Sequence, residues 1–319
     1  MPTRANTHAD AAISQMMIRR MANSQDFISD KILPTVLVNR ASDKYYKFNN
    51  SHLRIESTAL DSRGGANEVD FDFQSASYSI DDYGLKHFIH GKLLRNADPV
   101  IKRNLKIAAA RTVTDLLLLD KEKRAANLLF NSNTFSGRTA ALNSPEKWDV
   151  EDSKPFDKIA VACDTVLKNC GKLPNTIIMG YEVWSKLRNH PEFIKRLPDT
   201  SVKKVTPSSF KEFLNDENMK IENVLIGNQT YNDAPEGQDD EFSFIWGKYF
   251  LIAYVNYDAL TVMDQTLGKT FMENSLNGLQ VKYFRESEDE DGEWCKGTIS
   301  YDLVLVDPNC GFLYSGVVS

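Results

Sequence analysis

The residues best suited to chemistry in this chain are few and scattered. His87 and His90 stand three positions apart, a spacing at which two imidazoles on a helix can share a metal ion, but no third ligand follows at a workable interval. We read both as surface or hydrogen-bonded histidines, and no metal and no cofactor is assigned. Cys163 and Cys170 lie two helical turns apart, about 10.5 Å along a helix axis and too far for a disulfide. They read as small, core-facing hydrophobes. Acids crowd residues 236–241 and 286–293, yet neither run has the DxDxDG order and closing glutamate of a calcium loop. No GxSxG, GxxxxGKS/T, GxGxxG or HExxH occurs, so the nucleophile elbow, phosphate loop, dinucleotide turn and zinc helix are absent. No catalytic residue is assigned and the chain is read as a non-enzyme.

Charge is the more informative pattern. Within residues 86–111, Lys86, Lys92, Arg95, Lys102, Arg103, Lys106 and Arg111 face only Asp98, a local +6. Residues 233–241 hold five acids and no base, and residues 285–294 hold six acids and one base. Together these loops carry −10, which leaves about +4 on the other 300 residues. The basic run has no interleaved aromatics on which bases would stack, so it points to ion pairs with acids of another element or subunit before nucleic acid. Lys102 and Arg103 are its candidates for inter-subunit contact.

The elements that carry these residues belong to a large chain. Its 319 residues predict about two compact units. With 42% hydrophobic and 26% charged residues it is neither collagenous, disordered nor a disulfide miniprotein. The net charge of −6 and a pI near 5.5 argue against a protein that coats phosphates. Four cysteines without a CxxC pair point to a reducing cytoplasm. No apolar run approaches the roughly 20 residues of a membrane span, and no signal peptide is visible.

Residues 1–24 read as a short amphipathic arm, and Phe27–Leu33 adds a helical turn that Pro34 stops. From 44 to 57 the period becomes two, with Tyr46, Phe48, Leu53 and Ile55 alternating with polar neighbours. Val69, Phe71 and Phe73 alternate likewise, and residues 60–67 between the runs include Arg63, Gly64 and Gly65, a turn. The product is a ribbon of about 45 Å. An isolated hairpin is marginal in water, so the arm and the ribbon are expected to act as straps on another copy of the chain, with Arg63, Gly64 and Gly65 at the contact. Asp98-Pro99 opens a helix of about 32 residues, too long for mere filler and therefore a spine.

After a polar stretch the texture turns α/β. A helix with Phe156, Ile159, Cys163, Val166 and Cys170 on one face ends at Gly171. A strand Thr176–Met179, a helix Glu182–Arg188, a helix from Thr206-Pro207 to Leu214 and a strand Ile221–Ile226 follow. Phe242–Trp246 and Phe250–Val255 read as a hairpin about Gly247. The last third is mainly strand: Gln280–Phe284, Gly297–Val306 and Gly311–Val318.

This order resembles the major capsid proteins of tailed bacteriophages. Ile28-Ser-Asp-Lys-Ile-Leu-Pro34 before Lys44-Tyr-Tyr-Lys-Phe48 resembles the family's entry into its extended loop. Ala66-Asn-Glu-Val-Asp-Phe-Asp-Phe73 and Tyr78-Ser-Ile-Asp-Asp-Tyr83 resemble the return strand. Pro174-Asn-Thr-Ile-Ile-Met-Gly180, Val183-Trp184, Leu187-Arg-Asn-His-Pro191 and Val224-Leu-Ile-Gly227 are similar to the axial lobe. The resemblance covers about residues 26–319 and implies an α+β fold. Its parts would be an N-terminal arm (1–40), an extended E-loop ribbon (41–88), a P-domain with the spine helix (89–154), an A-domain (155–265) and returning P-domain strands (266–319).

It further implies self-assembly into hexamers and pentamers that close an icosahedral shell around double-stranded DNA. A separate scaffolding protein and a portal would be partners, with assembly in the host bacterial cytoplasm and residence in the virion. A net-negative wall suits this, because each phosphate held by a lysine or arginine adds salt-dependent affinity that would hinder release. The alternatives are a bacterial nanocompartment shell of the same fold and a soluble oligomeric α/β enzyme with a pocket between axial lobe and spine.

Overall fold

The computed structural model describes residues 8–9, 11–23, 27–47, 55, 58, 74–131, 133–197, 204–235, 237–258, 265–274, 278–287 and 291–319. The chain opens with β1 (His8–Ala9), α1 (Ala11–Asn23), the one-turn α2 (Ser29–Ile32) and β2 (Thr35–Val38). Then come β3 (Ser42–Lys47), β4 (Gln74–Ser79), β5 (Asp81–His90), α3 (Gly91–Asn96) and α4 (Pro99–Leu129). The central part holds β6 (Thr139–Ala141), α5 (Pro155–Cys170), β7 (Thr176–Gly180), α6 (Tyr181–Leu187), α7 (Pro191–Ile194) and α8 (Pro207–Asp216). The rest is β8 (Asn223–Gly227), β9 (Thr230–Asn232), β10 (Phe242–Phe244), β11 (Phe250–Ala253), β12 (Gly268–Glu273), β13 (Leu279–Phe284), β14 (Gly292–Leu305) and β15 (Gly311–Ser315).

The spine is α4, 31 residues and so about 46 Å long, with Pro99 in its first turn. Its buried residues Ala109, Ala110, Val113, Thr114, Leu117, Leu118, Lys121, Glu122, Ala125, Ala126 and Leu129 recur every three to four positions, which makes one apolar stripe. Residues 98–104 are all exposed, so the first two turns stand clear of the core.

The stripe packs on a sheet whose axis is the 14-residue β14. Tyr301 pairs with both Asp81 and Met272, and Ile299 with both Tyr83 and Leu279. A strand has two edges, so β5 runs along one edge while β12 and β13 lie end to end along the other. β2 adds in parallel to β12, and β1 pairs with β13. The second sheet runs β6-β15-β11-β7-β8. Its centre is buried on both faces, Thr176–Gly180 against Phe250–Ala253, which explains continuous apolar runs in place of alternation. Helix α5 covers it and ends at Gly171 with φ 73°, as the sequence predicts.

Several expectations are corrected. β10 pairs with β9, and β11 with β7 and β15, so Phe242–Trp246 and Phe250–Val255 are not a hairpin. The physical reason is burial, since Phe250–Ala253 fills the centre of a sheet while Phe242 is exposed. β15 pairs with β11 and β6 in the second sheet, so the strands of residues 266–319 divide between the two sheets. Helix α1 packs on β13 and α4 of its own chain, with Met17 fully buried, and in this part the arm is no strap to another copy.

Residues 81–88, read as ribbon, belong to the β5 edge of the main sheet. The ribbon that remains is the antiparallel pair β3 and β4, and its inward ring is Tyr45 and not Tyr46. Tyr45 and Tyr78 pack on Phe271 at 5.4 and 4.4 Å between centroids, which selects that face. The expected tip, Arg63, Gly64 and Gly65, and the strand around Val69 and Phe71 lie outside the described residues.

Candidate assembly surface

Acids of the same chain answer three of the seven cations in the basic run. Lys86 Nζ meets Glu286 Oε1 at 2.7 Å and Lys106 Nζ meets Glu293 Oε2 at 2.6 Å. The Arg95 guanidinium grips Asp291 with two nitrogens, and those hydrogen bonds, with its charge, hold the Asp291 carboxyl below the usual carboxylate range. The Asp291 carbonyl also accepts the Gly91 N–H at 2.7 Å. Lys86 lies over the Trp294 ring at 4.1 Å and Lys106 over Tyr283 at 5.1 Å. The register Asp81–His90 against Gly292–Tyr301 brings the two charge runs side by side, which their separation in sequence hides.

Two charged surfaces are left over. Lys102 and Arg103 sit side by side on the exposed start of α4, and among the described residues neither has an ion-pair partner. Beside them Val100 is 70% exposed and Ile101 50%. Farther along, Asn104, Ile107, Ala108, Arg111 and Thr112 form with Met16 of α1 a groove of about 400 Å³. Exposed cations next to exposed large apolar side chains have the composition of an interface rim and floor. Opposite in sign is the β9–β10 hairpin, where Asp233, Asp239, Asp240 and Glu241 are exposed and none is in an ion pair among the described residues. Hydrogen bonds tie the two ends of its connection together: Asp233 N–H donates to the Glu241 carbonyl at 2.8 Å, and Asn232 Nδ2 donates to Asp240 Oδ1 at 2.7 Å.

Edge strand β5 is the third feature. Among the described residues it pairs only with β14, and its free edge is flanked by the charged Asp81, Asp82 and Lys86, a common guard against unwanted strand addition. The ribbon base meets β14 just past the end of its pairing with β5, where Ser79 N–H donates to Asp302 Oδ2 at 2.9 Å and burial pushes that carboxyl up.

These surfaces are held to the core by a buried polar joint with no signature in the sequence. Glu122, fully buried on α4, accepts Ile28 N–H at 2.9 Å, Ser29 N–H at 3.0 Å and Trp246 Nε1–H at 2.8 Å. Lys121, also fully buried, pairs with Asp30 and lies 5.3 Å from the Tyr301 ring. Neighbouring positions on the spine thereby tie residues 28–30 and the Trp246 turn to one helix.

One side-chain pair has the composition of a nucleophile and its base. Ser153 Oγ and His190 Nε2 lie 3.1 Å apart and both residues are buried. His190 Nδ1 accepts the Glu192 N–H, however, and Nε2 is 3.1 Å from the Val150 carbonyl, so Nε2 carries the proton. That tautomer cannot take a proton from Ser153, and the pair serves to cap α7. His87 and His90 lie on β5, three apart on a strand and so on opposite faces, which removes the helical metal spacing. Cys163 and Cys170 are buried as expected.

No known protein-family profile matches the chain. It is 25% identical over 298 residues to the major capsid protein of Burkholderia phage BcepMu, covering 92% of each chain. It is 28% identical over 246 residues to the major capsid protein of Pseudomonas phage JBD67, covering 76% of each. Among solved structures, a phage-related protein of Bordetella bronchiseptica RB50 superimposes with a TM-score of 0.77 at 19% identity, over 98% of both chains. Capsid proteins of a cyanophage and of a prophage share the fold at TM-scores of 0.54 and 0.57.

Proposed function

We infer that this chain, a homologue of phage major capsid proteins that carries their fold, is a structural shell protein, the repeating unit of an icosahedral capsid. The observation that carries this is the match to a phage major capsid protein along nearly the whole length of both chains. The nanocompartment reading falls behind because both curated relatives are phage capsid proteins, and the enzyme reading because those relatives are structural.

In this reading copies of the chain gather into hexamers and pentamers around double-stranded DNA, with a scaffolding protein and a portal as partners, in the bacterial cytoplasm. The leftover charges support it: a cationic α4 start and an anionic β9–β10 hairpin on one molecule are complementary between copies, and rim charges of this kind set rate and register more than affinity. Each exposed pair contributes only about 0 to 1 kcal/mol, but a shell repeats it many times. The ribbon tip with Arg63, Gly64 and Gly65 is assigned to a neighbouring subunit. Its test is deletion of residues 58–67, which leaves the circular dichroism and melting of the chain intact while abolishing particles in sedimentation. Unfolding of the deleted chain would make the tip part of its own core.

A further inference from the structure

Cys170 closes helix α5, and Cys310 closes the 3-10 turn Pro308–Cys310 through which the chain crosses from the first sheet to the second. Their sulfurs lie 2.9 Å apart although the residues are 140 positions apart in sequence, and both side chains are fully buried. This is the contact of two thiols already facing one another, within about 1 Å of a covalent S–S bond. We infer that Cys170 and Cys310 are a redox modification site, a thiol pair that closes to an intrachain disulfide when a small peroxide reaches it.

The surroundings assign the roles. Cys310 Sγ lies 3.7 Å from Asp307 Oδ2, and the negative charge of that carboxylate, itself held by the Asn309 N–H at 2.9 Å, opposes ionisation of Cys310. The Cys310 thiol is raised by its bond to Cys170 and by burial, while that same hydrogen bond lowers Cys170, with Lys172 assisting. Cys170 is therefore the nucleophile. Cys170 releases its proton to solvent and its thiolate attacks one oxygen of hydrogen peroxide; the O–O bond breaks, and the hydroxide that leaves takes up a proton in place of the one released and becomes water. The sulfenic acid so formed is attacked by Cys310 sulfur, the S–O bond breaks, and the second hydroxide takes the Cys310 proton. Two thiols lose two electrons, and one peroxide becomes two waters. Cys163, pushed up to about 12 by burial, and Cys295, raised by burial, stay inert.

The bond would fasten the crossing point between the sheets to the helix that covers the second sheet. Such a lock is open in a reducing cytoplasm and closes in an oxidising medium. It does not depend on the capsid reading.

The test is intact mass after hydrogen peroxide, with iodoacetamide added in guanidinium to the full-length protein. Two of the four cysteines should escape alkylation, with a mass two hydrogens lighter. A peptide joining Cys170 to Cys310 should appear, and the melting temperature should rise by roughly 5 °C until dithiothreitol is added. A Cys163→Ser/Cys295→Ser variant should behave alike, and Cys310→Ala should lose both the protection and the shift. Four alkylated thiols after peroxide, a link between other cysteines or between chains, or Cys170 driven to sulfinic acid beside a free Cys310 would each overturn the assignment, and the wild-type mass alone decides if a variant misfolds.

Discussion

Trp246 Nε1 donates to Glu122 Oε1 at 2.8 Å across 124 residues of sequence, and the same oxygen accepts the N–H of Ile28 at 2.9 Å. The turn carrying Trp246, the spine helix and the chain entering the ribbon thus meet on one buried carboxylate. Glu122→Ala strands three buried donors and should cost about 3 kcal/mol or more in urea unfolding. Glu122→Gln keeps Oε1 but turns an amide toward Ser29 N–H, and about 1 kcal/mol is expected. Equal losses for the two would mean that side-chain volume, and not hydrogen bonding, matters at this position.

Burial raises the Glu122 carboxyl above its ordinary value of 4.5, with the donors from Ile28, Ser29 and Trp246 pulling the other way. An acid raised by folding favours the native state in its protonated form. Its contribution is complete below pH 4.5 and is lost as pH climbs through the raised value. Wild type should therefore lose stability relative to Glu122→Gln as pH rises across that window, read from urea midpoints. A difference that grows toward acid would show that the hydrogen bonds outweigh burial.

Gly227 and Gly180 face one another in the β7–β8 register, under the turn that carries Trp246. A Cβ on Gly227 would lie 2.0 Å from Trp246 Cδ1, and one on Gly180 would lie 1.9 Å from the Gly247 carbonyl. Gly227→Ala should cost about 3 kcal/mol, with Trp246 fluorescence shifted to the red. Gly137→Ala is the contrast, because only its φ of 75° resists a side chain and no atom lies within 4 Å. It should cost about 1 kcal/mol.

Lys102 and Arg103 differ from Lys86, Arg95 and Lys106 of the basic run in having no ion-pair partner among the described residues. Lys102→Glu with Arg103→Glu should move the salt dependence of particle formation, between about 0.05 and 0.5 M, while the monomer melts within about 1 °C of wild type. Lys106→Glu places like charges beside Glu293 and should lower melting instead. The reverse pattern would assign Lys102 and Arg103 to the fold.

The local elements were legible because their signals are local. Proline at the start of α4, glycine after α5 and the three-to-four spacing along both helices need no partner to be read. Thr206 capping α8, with its hydroxyl accepting Ser209 N–H, is of the same kind. The pairing of the basic run with acids of another element was legible, as Arg95 with Asp291 shows, while what escaped joins distant positions that carry no such signal: Glu122 to Trp246 and Cys170 to Cys310. A glutamate on a helix looks solvated until a tryptophan from another lobe reaches it. The false hairpin about Gly247 has the same origin, since β11 takes its partners from Thr176–Met179 and Gly311–Tyr314. Buried strands of a central sheet carry no mark of which neighbour they choose.

What the purified chain builds decides most directly whether it is a shell unit. Electron microscopy of the full-length protein, across a concentration series and with a scaffolding partner where one is needed, should show closed shells whose capsomers are rings of five and six. A 36.1 kDa species that persists at every concentration, with neither rings nor shells, would contradict it.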